Sequence, residues 1–189
     1  MSVLDVIGCR HGTEKASNTA HCRHNYLPFY EQFLRPLRDL PITLLEIGVD
    51  RGNSSRMWRD YFQNAKIVGM DCANLTHLAS DRIFIEIGDQ NQPADLTRIA
   101  EAHGPFDVIV DDAGHDPNSQ KFCHGFMLSH LKPGGLYILE DLVDVNGPFP
   151  NPACINYLQD LAVSVMQQTL ERIESIAFSY GTSVTRIKS

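Results

Sequence analysis

Hydrophobic positions along the chain fall into short apolar runs separated by stretches in which apolar residues recur every three or four positions. Runs 42–47, 66–70, 83–87, 106–110 and 136–139 are short and rich in branched residues, and they read as buried strands. Between them, 53–63, 93–103 and 117–131 have helical periodicity, and 93–103 opens on a proline at a favoured first-turn position. An earlier helix over 26–38 places Phe29, Phe33, Leu34 and Leu37 on one face, and 151–170 reads as a long helix. The last two β-rich runs, 172–180 and 183–188, are split by Gly181-Thr182, the spacing of a hairpin. Short apolar strands alternating with amphipathic helices imply a sheet covered on both faces. The expected fold is α/β and Rossmann-like: a seven-stranded, mostly parallel sheet closed by a C-terminal antiparallel hairpin.

Length sets one domain, 1–189, in which residues 1–40 are an N-terminal lid or helical lead-in, polar and turn-rich over about the first 25, and 41–189 the Rossmann-like core. The formal net charge of −7 argues against a nucleic-acid backbone or an anionic membrane as the main partner. No run approaches the roughly 20 apolar residues of a membrane span, and no signal peptide is visible. Cys9, Cys22, Cys72, Cys123 and Cys154 are scattered and lack CxxC spacing, which fits a reducing cytoplasm. Cys9, His11, His21, Cys22 and His24 match no standard zinc spacing. That segment reads better as a lid bringing Lys15, Ser17 or Tyr30 towards a ligand. Trp58, Tyr61 and Phe62 read as core, Cys123 and Cys154 as small buried hydrophobes, and His77, His103, His124 and His130 as surface or helix-face residues.

The candidate chemistry sits at strand ends. Glu46-Ile47-Gly48-Val49-Asp50-Arg51-Gly52 is a strand running into a glycine turn that opens a helix. Glycine permits a sharp turn and a close ligand approach, and the helix N-terminus offers free N–H groups to a carboxylate or phosphate. Asp50 stands where a GxGxxG fingerprint has its second glycine, which argues against a dinucleotide site. Asp71 closes the next strand, where an acid commonly holds ribose hydroxyls. Gly88-Asp89-Gln90 follows the third strand and offers an acceptor and an amide to an adenine edge. Each has a plain reading as a capped turn; in order at successive strand ends, they describe a nucleoside site.

Two further strands end in adjacent acids, Asp111-Asp112 and Glu140-Asp141. Carboxylates gathered at one sheet edge repel one another unless a cation sits among them, and an all-oxygen set suits a hard ion such as Mg²⁺. His115, three residues after Asp112, supplies a base beside it.

Together with Arg56 to Phe62, the lead-in His11-Gly12-Thr13-Glu14-Lys15 and His24-Asn25-Tyr26, and the run Pro133 to Leu142, these motifs resemble one family. It is the metal-dependent sugar O-methyltransferases of macrolide and tetracenomycin pathways, which have the class I methyltransferase fold. The resemblance implies S-adenosylmethionine along Glu46, Ile47, Gly48, Val49, Asp50, Arg51 and Gly52, with Asp71 on its ribose and Asp89 and Gln90 near its adenine. It also implies Phe106 lining that pocket, Asp112, Glu140 and Asp141 as Mg²⁺ ligands, His115 as general base, and Asp111 as a strand-end acceptor. The implied partner is a small-molecule acceptor, a sugar or glycoside hydroxyl, with no nucleic acid or membrane and with homo-oligomerisation left open. Ala113, Gly114 and the stretch after Asp141 depart from the family pattern, so the acceptor pocket is its least transferable part. Rival readings are a binding protein of the same fold without catalysis and a nucleotide-dependent oxidoreductase.

Overall fold

The computed structural model describes residues 1–17, 24–142 and 152–189. Seven strands form one sheet: β1 (Thr43–Ile47), β2 (Lys66–Asp71), β3 (Ile83–Ile87), β4 (Phe106–Asp111), β5 (Leu131–Leu139), β6 (Ile173–Ser179) and β7 (Thr182–Ile187). Their order is β3-β2-β1-β4-β5-β7-β6, with β7 antiparallel to both β5 and β6. The first five strands are parallel, so the expected sheet and its closing hairpin are both present.

Helices α1 (Val3–His11), α2 (Leu27–Leu34), α3 (Asn53–Tyr61), α4 (Pro93–His103), α5 (Pro117–Met127) and α6 (Pro152–Met166) cover the sheet. Side chains alternate across a strand, so one apolar run serves two cores. Leu44, Ile67, Val108 and Ile138 face α1, α2 and α3, meeting Leu4, Tyr30 and Trp58. Leu45, Val68, Ile109 and Tyr137 face α4, α5 and α6, meeting Ile99, Met127 and Leu158. The strands therefore read as continuously apolar.

Three features depart from expectation. Residues 1–25 contain a helix, α1: Ser2 caps it by accepting from Asp5 N, Leu4 and Ile7 are buried, and Gly12 ends it at φ +68. The helix expected over 26–38 divides into α2 and a 3₁₀ turn at Arg35–Leu37, which contains Pro36. His124 is fully buried instead of lying on an open helix face, because it shares the sheet-facing side of α5 with Gln120, Cys123 and Met127. Cys123 and Cys154 are buried as expected, and so are Trp58, Tyr61 and Phe62. Asn151, His21 and Cys22 lie outside the described residues. Among the described residues no helix is long and apolar enough to cross a membrane.

Candidate active site

The chain leaves β1 towards β2 on one side while β4 lies on the other, so a topological switch point opens beyond the carboxyl ends of β1 and β4. A cavity of about 540 Å³ occupies this position. Its floor is locked by backbone contacts between successive loops. Asp112 N donates to Ile47 O at 2.8 Å, Gly48 N to Met70 O at 2.8 Å, and Glu140 N to Asp111 O at 3.0 Å. Gly48 is at φ +93, and a Cβ there would collide with the Asp112 carbonyl, so only glycine lets the first and fourth loops approach this closely.

One side of the cavity is the glycine turn with Asp71 and Asp89. Asp71 Oδ2 accepts from Val49 N at 2.9 Å and Asp50 N at 3.3 Å, and Oδ1 accepts from Ala73 N at 2.9 Å. Partial burial pushes the carboxyl upward, but these backbone donors outweigh it and hold Asp71 below the ordinary aspartate value. Gln90 also lines the cavity, yet its amide is spent on the neighbouring loop. Its Nε2 donates to Gly114 O at 3.1 Å, and its Oε1 accepts from Gly114 N at 2.7 Å. This amide clamp fastens the loop carrying Asp112 and His115 to the end of β3. Gln90→Leu is expected to cost about 1 kcal/mol of stability and to speed hydrogen exchange at the Gly114 amide. Unchanged exchange there would show that the clamp carries no load.

The other side is acidic. Asp112, His115 and Asp141 offer ligand atoms that all lie within 4.8 Å of one another. His115 Nε2 is 3.3 Å from Asp141 Oδ2. Tyr26 donates its hydroxyl to Asp141 Oδ1 at 2.9 Å, and burial followed by the Asp141 charge raises that phenol, so it remains a protonated donor. Asp141 is held at φ +54, an uncommon conformation that aspartate tolerates better than most residues and that is typical of functional positions. Glu140 is 2% exposed and accepts at Oε2 from Lys15 Nζ at 2.8 Å, and the same ammonium binds Asp112. Burial works against a charged Lys15, but Asp112 and Glu140 outweigh it and raise its affinity for the proton. Asp111 points away from this cluster: it accepts from the Tyr137 hydroxyl at 2.6 Å, and burial pushes it up to about 6.

Of the expected site residues, Ile47, Gly48, Val49, Asp50, Arg51, Asp71, Asp89, Gln90, Asp112, His115, Glu140 and Asp141 all border the cavity. Three expected cofactor residues do not. Phe106 starts β4, fully buried at the opposite end of the strand from Asp111, because five strand residues at about 3.3 Å each separate the two by about 17 Å. Glu46 is an interior anchor for α3, accepting from Ser55 Oγ at 2.5 Å and Trp58 Nε1 at 2.9 Å. Gly52 is buried at φ +70 where α3 begins. Lys15 and Tyr26 are the residues whose placement the motifs did not resolve. Lys15 was expected in a lid facing a ligand and does border the cavity, but nothing in the lead-in indicated that its partners and Tyr26's would be the strand-end acids.

No family model matches the chain. Demethylmacrocin O-methyltransferase of Streptomyces fradiae is 36% identical over 126 residues, which is 63% of this chain and 32% of that protein. The 8-demethyl-8-α-L-rhamnosyl tetracenomycin-C 2′-O-methyltransferase of Streptomyces olivaceus is 35% identical over 146 residues, 74% of this chain and 37% of that one. Among solved structures, the MycE methyltransferase of the mycinamycin biosynthetic pathway, in complex with Mg, SAH and mycinamycin VI, superposes with a TM-score of 0.89. The match is 26% identical and covers 99% of this chain and 54% of MycE. This chain has the class I methyltransferase fold and is a relative of these O-methyltransferases. It spans about a third of the length of the curated relatives it matches. Methyltransferase folds from more distant proteins superpose less well, as with an O-methyltransferase from Bacillus cereus at 18% identity and a TM-score of 0.59.

Proposed function

We propose that this methyltransferase-fold chain is an S-adenosylmethionine- and Mg²⁺-dependent O-methyltransferase acting on a hydroxyl of a sugar or small glycosylated natural product. The observation that carries the reading is a single cavity with a ribose-holding type of acid, Asp71, on one side and the Asp112, Glu140, Asp141 and His115 group on the other. The donor set fits a hard divalent cation: Asp112 and Asp141 converge with His115, Lys15 ties Glu140 to Asp112, and buried Glu140 Oε1 has no hydrogen-bond partner in the described structure. In this reading the turn from Ile47 to Arg51, with Asp71 and Asp89, holds the methyl donor, and Asp112, Glu140 and Asp141 hold the ion. A bound divalent cation would make a hydroxyl presented to it easier to deprotonate.

His115 then takes the hydroxyl proton while that oxygen forms its bond to the methyl carbon and the carbon–sulfur bond breaks. Asp141 orients the ring from 3.3 Å, and Tyr26 fixes Asp141 in turn. The rest of the contribution is positioning. Residues 1–40 belong to the same working unit, since Lys15 reaches the acidic cluster from this segment. The net charge of −7 supports a small acceptor over a nucleic acid, and the names of the relatives support glycosides.

The test is incubation with S-adenosylmethionine, Mg²⁺ and a panel of rhamnosyl and macrolide glycosides, scored by mass spectrometry. Transfer of one methyl group to a sugar hydroxyl is the expected result. Binding of S-adenosylhomocysteine and Mg²⁺ without transfer to any glycoside would favour a binding protein, and no binding of either would sink the reading. His115→Ala should lower turnover on the order of a hundredfold to ten-thousandfold with S-adenosylhomocysteine affinity little changed. Equal losses in both would make His115 structural.

A further inference from the structure

Lys15 is 3% exposed and meets acids that lie 97 and 125 residues away in the chain. Its Nζ donates to Oδ2 of Asp112 and to Oε2 of Glu140. The lysine backbone is also held, because Tyr26 N donates to Lys15 O at 2.9 Å. Tyr26 in turn donates its hydroxyl to Asp141. Lys15 and Tyr26 together therefore touch all three carboxylates of the cluster. Asp112 and Glu140 each give one oxygen to the ammonium. The other oxygen of Glu140, Oε1, is buried without a hydrogen-bond partner in the described structure. A carboxylate oxygen removed from water in this way is costly unless a donor or cation completes it.

We propose that Lys15 is a positioning residue for the divalent cation: it grips one oxygen of Asp112 and one of Glu140, leaves the remaining oxygens to the ion, and stays in place when the ion binds. The inference rests on the divalent-cation reading given above. Charge balance supports retention over displacement. With the ion bound and Asp112, Glu140 and Asp141 ionised around it, three negative charges would face three positive ones from Lys15 and the divalent ion, so the complete cluster would be neutral. Displacing the ammonium would leave the cluster with an excess negative charge and would strand a buried cation without its partners, an expensive arrangement. The alternative, in which Lys15 gives up its place to the ion on binding, predicts the opposite behaviour in each measurement below.

The first measurement uses the unmodified chain. Amine acylation, read residue by residue by mass spectrometry with and without Mn²⁺, should leave Lys15 protected in both states while exposed Lys188 reacts in both. Acylation of Lys15 that appears when Mn²⁺ saturates the site would mean displacement and would overturn the proposal. The second compares Mn²⁺ binding by electron paramagnetic resonance in the unmodified chain and in Lys15→Met. The dissociation constant should rise about 10- to 100-fold, the usual cost of losing a residue that orients metal ligands, with S-adenosylhomocysteine affinity much less affected. Equal or tighter Mn²⁺ binding by Lys15→Met would overturn the proposal. If that variant fails to fold, the acylation result decides alone. A chain that binds no Mn²⁺ at all defeats both this proposal and the metal-dependent reading, whereas Mn²⁺ binding with a reactive Lys15 defeats this one only.

Discussion

Asp112→Asn is expected to lower methyl transfer on the order of a hundred- to a thousandfold while leaving S-adenosylhomocysteine affinity close to that of the unmodified chain. The backbone of Asp112 is fixed independently of its side chain, through its N–H to Ile47 O at 2.8 Å, so the loop keeps its course. What the substitution removes is charge at the centre of the acidic cluster, where Asp112 meets Lys15 and lies within 4.8 Å of ligand atoms on His115 and Asp141. Losing one preorganised electrostatic element in a sheltered site costs about 3 to 4 kcal/mol of transition-state stabilisation. The methyl donor's adenosine would be held on the Asp71 side, so its affinity should barely move. Chelation of the unmodified chain should reproduce the loss, and added Mg²⁺ should reverse it; added Mg²⁺ should not rescue Asp112→Asn. Turnover that survives thorough chelation would remove the metal from the reading.

The second large effect lies away from the cavity. His124 is fully buried on α5, with Nδ1 3.0 Å from the Tyr157 hydroxyl and Nε2 3.2 Å from the Thr185 hydroxyl. Its ring meets Tyr137 and Tyr157 edge to face, with centroids 4.7 and 5.6 Å away. Burial alone pushes it down from 6.5 to about 3. The unfolded chain therefore takes up a proton below pH 6.5 that the folded chain refuses until about pH 3. The stability contributed by neutral His124 is complete above pH 6.5 and is lost as pH falls towards 3, in total about 4 to 5 kcal/mol.

Asp111 works the other way: raised from 3.8 to about 6, it favours the folded state as pH falls through that interval. Comparison with His124→Gln cancels the Asp111 contribution. Between pH 7.5 and pH 5.0 the unmodified chain should lose about 2 kcal/mol relative to the variant, measured by chemical denaturation. Parallel pH dependence in the two proteins would show that His124 is not the acid-sensitive group.

The strands and most helices were legible because their signals are local. Branched apolar runs, a proline opening α4 and Gly181-Thr182 splitting the final runs each act within a few residues. Helix α1 was legible in principle too, through Ser2 at its cap, Asp5 in its first turn and Gly12 at its end. Its few apolar positions are diluted by polar neighbours, which concealed the pattern. Phe106 shows a different failure. The resemblance implied Phe106 at the pocket, but it starts β4, and a strand carries its two ends to opposite edges of the sheet. His124 escaped for a third reason: a histidine on a helix gives no sign of which face the sheet will cover.

Sequence by itself determined the alternation of strands and helices, the hairpin that closes the sheet, and the placing of Asp71, Asp89, Asp112, Glu140 and Asp141 at strand ends. Those follow from periodicities of about two and 3.6 residues and from polar residues standing where apolar runs stop. Only the tertiary structure decided how the strand-end groups are divided. It committed Gln90 to Gly114, Glu46 to Ser55 and Trp58, Asp111 to Tyr137, and Lys15 to Asp112 and Glu140. The physical reason is that a hydrogen bond or ion pair is satisfied by whatever donor the fold brings within about 3 Å. For Lys15 and Glu140 those partners are 125 residues apart, a separation at which no local pattern in the chain carries information about the other end.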